Sequence, residues 1–183
     1  AMLADGLRVA GDVERAREIL TALVEAYGRR GSPERAQVHI QLAKVLRDCD
    51  ETEEALGQLD IASKMDADNV AALQLLADMA REAGDLTRCE AALRTLLLTA
   101  RRLEASDAAP IATTEVLFEL SSLAAQRGQE EQAEELAESA LEALAGGEAH
   151  MSRLQAKLRA NEEWSLPLRL LGARLGYVTS PYR

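Results

Sequence analysis

Apolar positions recur along the chain with the three-and-four spacing of amphipathic helices, and the pattern breaks at four similar points: Gly11-Asp12, Asp50-Glu51, Gly84-Asp85 and Gly128-Gln129. Each break follows one helical pattern and precedes another, which predicts a tight turn joining two antiparallel helices. Glycine tolerates the left-handed backbone that ends a helix, and Asp50, with Glu53 three residues on, has the form of a capping box.

The same residue classes recur at fixed offsets from these turns. Leu3, Leu42, Leu76 and Leu120 stand eight residues before them, followed by the small residues Ala4, Ala43, Ala77 and Ser121. Five residues after the turns come Ala16, Ala55, Cys89 and Ala133, nine after come Leu20, Leu59, Leu93 and Ala137, and twelve after come Leu23, Ala62, Leu96 and Ala140. Small side chains at matching heights let two helices approach closely, while the leucines fill the space beside the contact. Such a hairpin cannot bury its apolar face alone, so the reading is an all-α array of stacked hairpins.

Residues 36–69 and 70–103 form contiguous units of 34 residues, and a third unit spans 114–147. This pattern resembles the tetratricopeptide repeat, a helix–turn–helix unit of the same length. His39 and Leu73 stand where that family often has Trp, and Ala67 where it often has Pro. The resemblance implies a right-handed α-α superhelix, a solenoid of antiparallel helical hairpins, occupying residues 1–183 as one domain. It also implies that the chain binds a protein or peptide in a concave groove and is not an enzyme.

The two ends depart from the regular unit. Residues 2–30 supply only the tail of a first helix before a second helix from Asp12 to about Tyr27, so Ala1 reads as a cut within a longer array. Residues 148–178 read as a degenerate unit in which Leu154 and Leu158 keep register, whereas Pro167 replaces a small residue and delays the second helix to near Ser165. Ser180-Pro181 repeats the helix-start signal of Ser32-Pro33, so residues 180–183 read as the beginning of another unit. An incompletely covered end, with Leu3 and Leu7 in it, would favour self-association. Insertions near 31–35 and 104–113 break the 34-residue beat, the second being the longest expected interruption among nine or ten helices.

Composition narrows the function classes. Aromatic residues make up only 3% of the chain and a formal net charge of -10 leaves no long-range attraction for nucleic acid or anionic lipid. No apolar run is long enough for a membrane helix and no basic-then-apolar leader opens the chain, so membrane insertion is not expected. Two cysteines imply no disulfide framework, which favours a cytoplasmic setting. Arginine accounts for 18 of the 21 basic residues, an Ala- and Arg-rich habit that suggests a bacterial source.

Catalytic and cofactor chemistry finds no constellation to rest on. His39 and His150 lack a second ligand at zinc spacing, no phosphate-binding glycine motif occurs, Cys89 stands in the small-residue register as a small apolar side chain, and no activating base or cation is evident beside Cys49. The expectation is therefore no metal, no cofactor and no catalytic residue. Glu130, Glu131, Glu134, Glu135, Glu138 and Glu142 decorate one helix, as a solvated face or as an acidic patch for a basic partner.

In tetratricopeptide proteins the first helices of successive repeats line the groove. Carried onto this sequence, the resemblance nominates Gln37, Ile40, Lys44, Arg47 and Asp48, then Gln74, Asp78, Arg81 and Glu82, then Glu115, Phe118, Ser122 and Gln126. One inner position reads Arg8, Arg47, Arg81, Ala125 and Arg159, a broken ladder of guanidinium groups. Such a ladder could select an acidic segment, since arginine grips carboxylates with a planar donor fork, or it could be balanced by Asp48, Asp78 and Glu82 as a mixed-charge surface. Phe118 is either an anchor in that groove or a residue packed between repeats. The Lys and Asn pattern of the chaperone-binding subfamily is missing, because Ile40, Lys44 and Leu75 occupy its places. A rival reading is a sensory module that binds a peptide or metabolite and signals to a regulatory effector outside these residues.

Overall fold

A computed structural model of the chain describes residues 2–28, 31–104 and 111–144. Eight helices lie among them: α1 (Met2–Val9), α2 (Val13–Ala26), α3 (Pro33–Asp48), α4 (Thr52–Met65), α5 (Val70–Glu82), α6 (Leu86–Glu104), α7 (Thr113–Gln126) and α8 (Glu130–Leu144). No strand occurs among the described residues. The expected degenerate unit at 148–178, with His150, Arg159 and Pro167, and the helix start at 180–183 lie outside them.

All four turns share one hydrogen-bond pattern. Gly11, Asp50, Gly84 and Gly128 have φ of 86°, 61°, 75° and 73°. Each donates its N–H three residues back, to Arg8, Arg47, Arg81 and Ala125 at 3.0 Å, while the following residue reaches five back, to Leu7, Leu46, Ala80 and Ala124 at 2.8–2.9 Å. This paired arrangement satisfies carbonyls orphaned at the helix end and reverses the chain in a fixed geometry.

Asp50 therefore does not act as the N-cap of a capping box. It occupies the left-handed position that glycine fills elsewhere, and Glu51 becomes the N-cap of α4 without a side-chain bond to it. Aspartate is among the few side chains that tolerate this backbone, because its short carboxylate can bond locally. Its turn propensity prevailed over its capping propensity.

The chain divides into two compact units, residues 1–95 and 96–183. In the first, α1 packs on α2, α2 on α3, α3 on α4 and α4 on α5. The small-residue register forms the contact: Ala4, Ala43, Ala16, Ala55 and Cys89 are fully buried and Ala77 nearly so, and Leu20, Leu59 and Leu93 nine residues past the turns are fully buried too. His39, in the place of the family's Trp, lies inside the α3–α4 hairpin with Nδ1 2.7 Å from Gln58 Oε1, to which it donates. In the second unit α7 packs on α8, Ser121 Oγ donates to Ala133 carbonyl at 2.7 Å, and Leu117, Phe118, Ala137 and Ala140 form a core with Leu97, Leu136 and Leu141.

Helix starts are built three ways. Ser32 Oγ accepts from Arg35 N–H at 3.2 Å with Pro33 at the first helical position, and Asn69 Oδ1 accepts from Ala72 N–H at 3.1 Å. At α7 the N-cap is Ala112, which has no side chain to offer. Glu104, the last residue of α6, substitutes for it: its carboxylate accepts from both the N–H and the hydroxyl of Thr113 at 2.6 Å. The negative charge also lies against the positive end of the α7 dipole.

Candidate functional site

The nominated inner-face residues fall into three environments. On α3, Gln37 and Arg47 are exposed and Lys44 is half-buried, whereas Ile40 is only 5% exposed and packs inward. On α5, Gln74 and Arg81 are half-buried and Asp78 is exposed. On α7 Glu115, Phe118 and Ser122 are inaccessible, and only Gln126, the last residue of the helix, is exposed.

Phe118 is fully buried in the core of the second unit, and Ser122 and Glu115 are 6% exposed. Phe118 is thus a packing residue and offers no surface to a bound segment. Its helix is buried from Thr113 through Phe118 and again from Leu120 through Ala124, so sharing a register with Gln37 or Lys44 brings no access to solvent. The α7 sequence carried a warning, because Thr113–Gln126 has only two charged residues, Glu115 and Glu119, and a helix with little polar face belongs inside.

The arginine ladder is partly neutralised. Arg8 donates to Asp48 at 2.8 Å and to Asp5 at 3.3 Å; the Asp48 hydrogen bond is the largest influence raising its pKa, against an opposing cost of burial. Arg81 lies 3.8 Å from Asp78 within its own helix. Arg47 approaches a carboxylate only at 4.0 Å, the adjacent Asp48, and 42% of its side chain is exposed. Lys44 makes no ion pair among the described residues. Each of these arginines also sits in the last turn of a first helix, where a cation is stabilised by the C-terminal end of the dipole, which supplies a structural reason for the ladder.

Several second-helix arginines are paired. Arg17 bonds Glu51, Arg94 bonds Glu90 at 2.6 Å, and Arg88 reaches Glu53 at 3.1 Å, Asp60 at 3.4 Å and Asp85 at 3.5 Å. Lys44 and Arg47 differ from them in keeping their charge available.

Sequence reasoning missed one feature of the first unit. Leu23 and Tyr27 at the end of α2 and Pro33, Glu34, Gln37 and Val38 at the start of α3 enclose an open groove of about 400 Å³. Tyr27 is 44% exposed there. The insertion near 31–35 was the available signal, since a longer link between hairpins separates the helices it joins. Gln37 belongs both to this groove and to the nominated inner face.

The thiols have structural surroundings. Cys89 is fully buried, and Cys49 is half-buried with its pKa raised first by desolvation and then by Glu51. That direction disfavours the reactive thiolate. No described helix is long and apolar enough to cross a membrane.

No family profile matches the sequence, and no curated protein matches it. Solved structures do. MamA is similar with a TM-score of 0.59 and 16% identity over 93% of this chain and 85% of its own. A putative kinesin light chain of Podosopora anserina with nearly identical TPR-like repeats has a TM-score of 0.59 and 17% identity over 98% and 94%. YrrB, a TPR protein with an unusual peptide-binding site, has a TM-score of 0.55 and 16% identity over 84% and 70%. Together with the shared turns and the buried small-residue register, these likenesses give the chain the all-α hairpin-repeat fold of the tetratricopeptide superfamily.

Proposed function

We propose that this chain is an interaction module that binds a protein or peptide along the first-helix face of its amino-terminal unit, on α3 and α5. The observation that carries the reading is the unequal treatment of basic side chains. Arg8 is held by two carboxylates, and Arg17, Arg88 and Arg94 are likewise paired, while Lys44 and Arg47 stand together on α3 with no close partner among the described residues. A pair of cations, one half-buried and one exposed, on a helix with a packed back can recognise carboxylates at little ordering cost. The fold supports the same reading, since a structural neighbour is described as having a peptide-binding site. Phe118 and Ser122 have no part in it, because both are buried.

The test is capture of the partner from an extract of the source organism, followed by affinity measurement with Arg47→Glu, Arg81→Glu and Arg94→Glu at several salt concentrations. Arg47→Glu should weaken binding by at least tenfold, as truncation of an interfacial arginine commonly costs about 2 kcal/mol. Arg81→Glu should have a smaller effect in the same direction and Arg94→Glu almost none. Loss of binding with Arg94→Glu or with charge removal on α8, and none with the inner-face reversals, would move the site elsewhere.

A further inference from the structure

The groove between α2 and α3 and the cations of α3 follow one line that winds part of the way around the helix. Taking Gln37 as origin, Lys44 is displaced around the helix by about 20° and Arg47 by about 80°, with rises of about 10 and 15 Å along the axis. The groove is at the amino-terminal end of this line and the two cations are at its carboxy-terminal end. Its lining is mostly apolar, with half-buried Leu23, buried Val38, Pro33 and the exposed ring of Tyr27, and its volume of about 400 Å³ suffices for one large side chain. Glu34 stands on its rim, so an acidic group is disfavoured there and favoured at Lys44 and Arg47.

We infer that α3 receives an extended acidic peptide that anchors one apolar side chain in the groove of Leu23, Tyr27, Pro33 and Val38 and places carboxylates on Lys44 and Arg47. This rests on the proposed role of α3 as the binding face and gives that face a polarity and a ruler. A separation of about 10–15 Å corresponds to about three to five residues of extended peptide at about 3.3 Å each. The occupant is defined by charge complementarity: two cations without close partners at one end, a carboxylate guarding the other. Asp48 only partly offsets them, since it reaches Arg47 at 4.0 Å while its short contact at 2.8 Å goes to Arg8.

The experiment uses the full chain and labelled ten-residue peptides on a Gly-Ser background. One carries Phe followed four residues later by Asp-Glu, a second has the reverse order, a third lacks Phe and a fourth replaces Asp-Glu with Lys-Lys. Affinity is read by fluorescence anisotropy and location by amide chemical shifts, which report binding into the millimolar range. One of the first two peptides should bind at least tenfold more tightly than the third and the fourth, shifting resonances of Tyr27, Gln37 and Lys44. Tyr27→Ala should abolish the advantage of Phe alone, and Lys44→Glu with Arg47→Glu the advantage of Asp-Glu alone, with helical circular dichroism unchanged.

Equal affinity for all four peptides, absence of binding by any, or shifts confined to α5 or α8 would overturn this inference. A captured partner that still depended on Arg47 and Arg81 would then leave the broader reading intact, whereas a partner indifferent to both would remove that reading as well.

Discussion

Two junctions join hairpins within the first unit, α2 to α3 and α4 to α5, and they share a register but not an outcome. Where the second has Ala62, fully buried, the first has Leu23, half-buried. The second link, Asp66–Asn69, is laced by Asn69: its N–H donates to the Asp66 carbonyl at 3.2 Å, its Nδ2 to the Asp66 carboxylate at 3.1 Å, and its Oδ1 caps α5. The first link is longer, and α3 starts a turn earlier in register than α5, at Pro33. Ala36 and Val70 hold equivalent positions, so Pro33, Glu34 and Arg35 have no helical counterpart in α5. A few inserted residues thus turn a sealed contact into an open apolar groove beside Gln37, where the second junction has only exposed Ala71.

The largest expected effect comes from exchanging the residues that decide closure. Ala62→Leu forces a branched side chain into a filled contact and should cost about 1–3 kcal/mol in urea unfolding. Leu59→Ala, at a fully buried site, should cost about 2–5 kcal/mol, and Leu23→Ala clearly less, because part of that side chain already meets solvent. Equal losses for Leu23→Ala and Leu59→Ala would mean that the first junction is closed in solution, and the contrast would collapse.

How far this was legible in the sequence depended on whether a residue's role is set locally. The turns and the hairpin contact were legible because Gly11, Gly84 and Gly128 and the alanine register report backbone geometry and close approach directly. Asp50 misled, since one residue type serves both as N-cap and as left-handed turn residue, and only the surrounding backbone decides. Phe118 was ambiguous for another reason: helical spacing assigns a face, but which faces are covered depends on packing with distant residues. The groove at Leu23 and Tyr27 was announced only by a broken repeat length, a sign of altered spacing that carries no shape. The availability of Lys44 and Arg47 could not be read at all, because it depends on Arg8, 40 residues from Asp48, drawing one oxygen of that carboxylate into its short contact.

A middle-sized effect separates the two helix starts. Ser32→Ala and Asn69→Ala each remove a cap and should each cost about 1 kcal/mol, within the usual range for lost caps. Asn69→Ala should be the more damaging, because it also releases the bond to Asp66 that closes the link. Amide exchange at Ala72 and at Arg35 reads the two sites separately. Faster exchange at Arg35 alone in Ser32→Ala, and at both Ala72 and the 66–69 link in Asn69→Ala, would sharpen the distinction. A larger loss for Ser32→Ala would show that the open junction, not the laced one, depends more on its cap.

The smallest effect tests whether the added turn at 33–35 is fixed in place, as a groove wall must be. Glu34 holds its carboxyl below the usual value of 4.5, first through a bond from its own backbone N–H and then through one from the Ser32 hydroxyl. Both bonds favour the charged form, so the folded chain binds this proton less tightly than the unfolded chain does. The resulting stability is present above pH 4.5 and fades as pH falls through the depressed value. It should be slight, since the group is exposed and water competes for both bonds. A carbon-detected titration should place the Glu34 midpoint below 4.5 in the native chain, and Ser32→Ala should move it upward. A midpoint at or above 4.5 would mean that the first turn of α3 frays in solution, leaving Pro33 and Glu34 unable to wall a groove that the second junction never had.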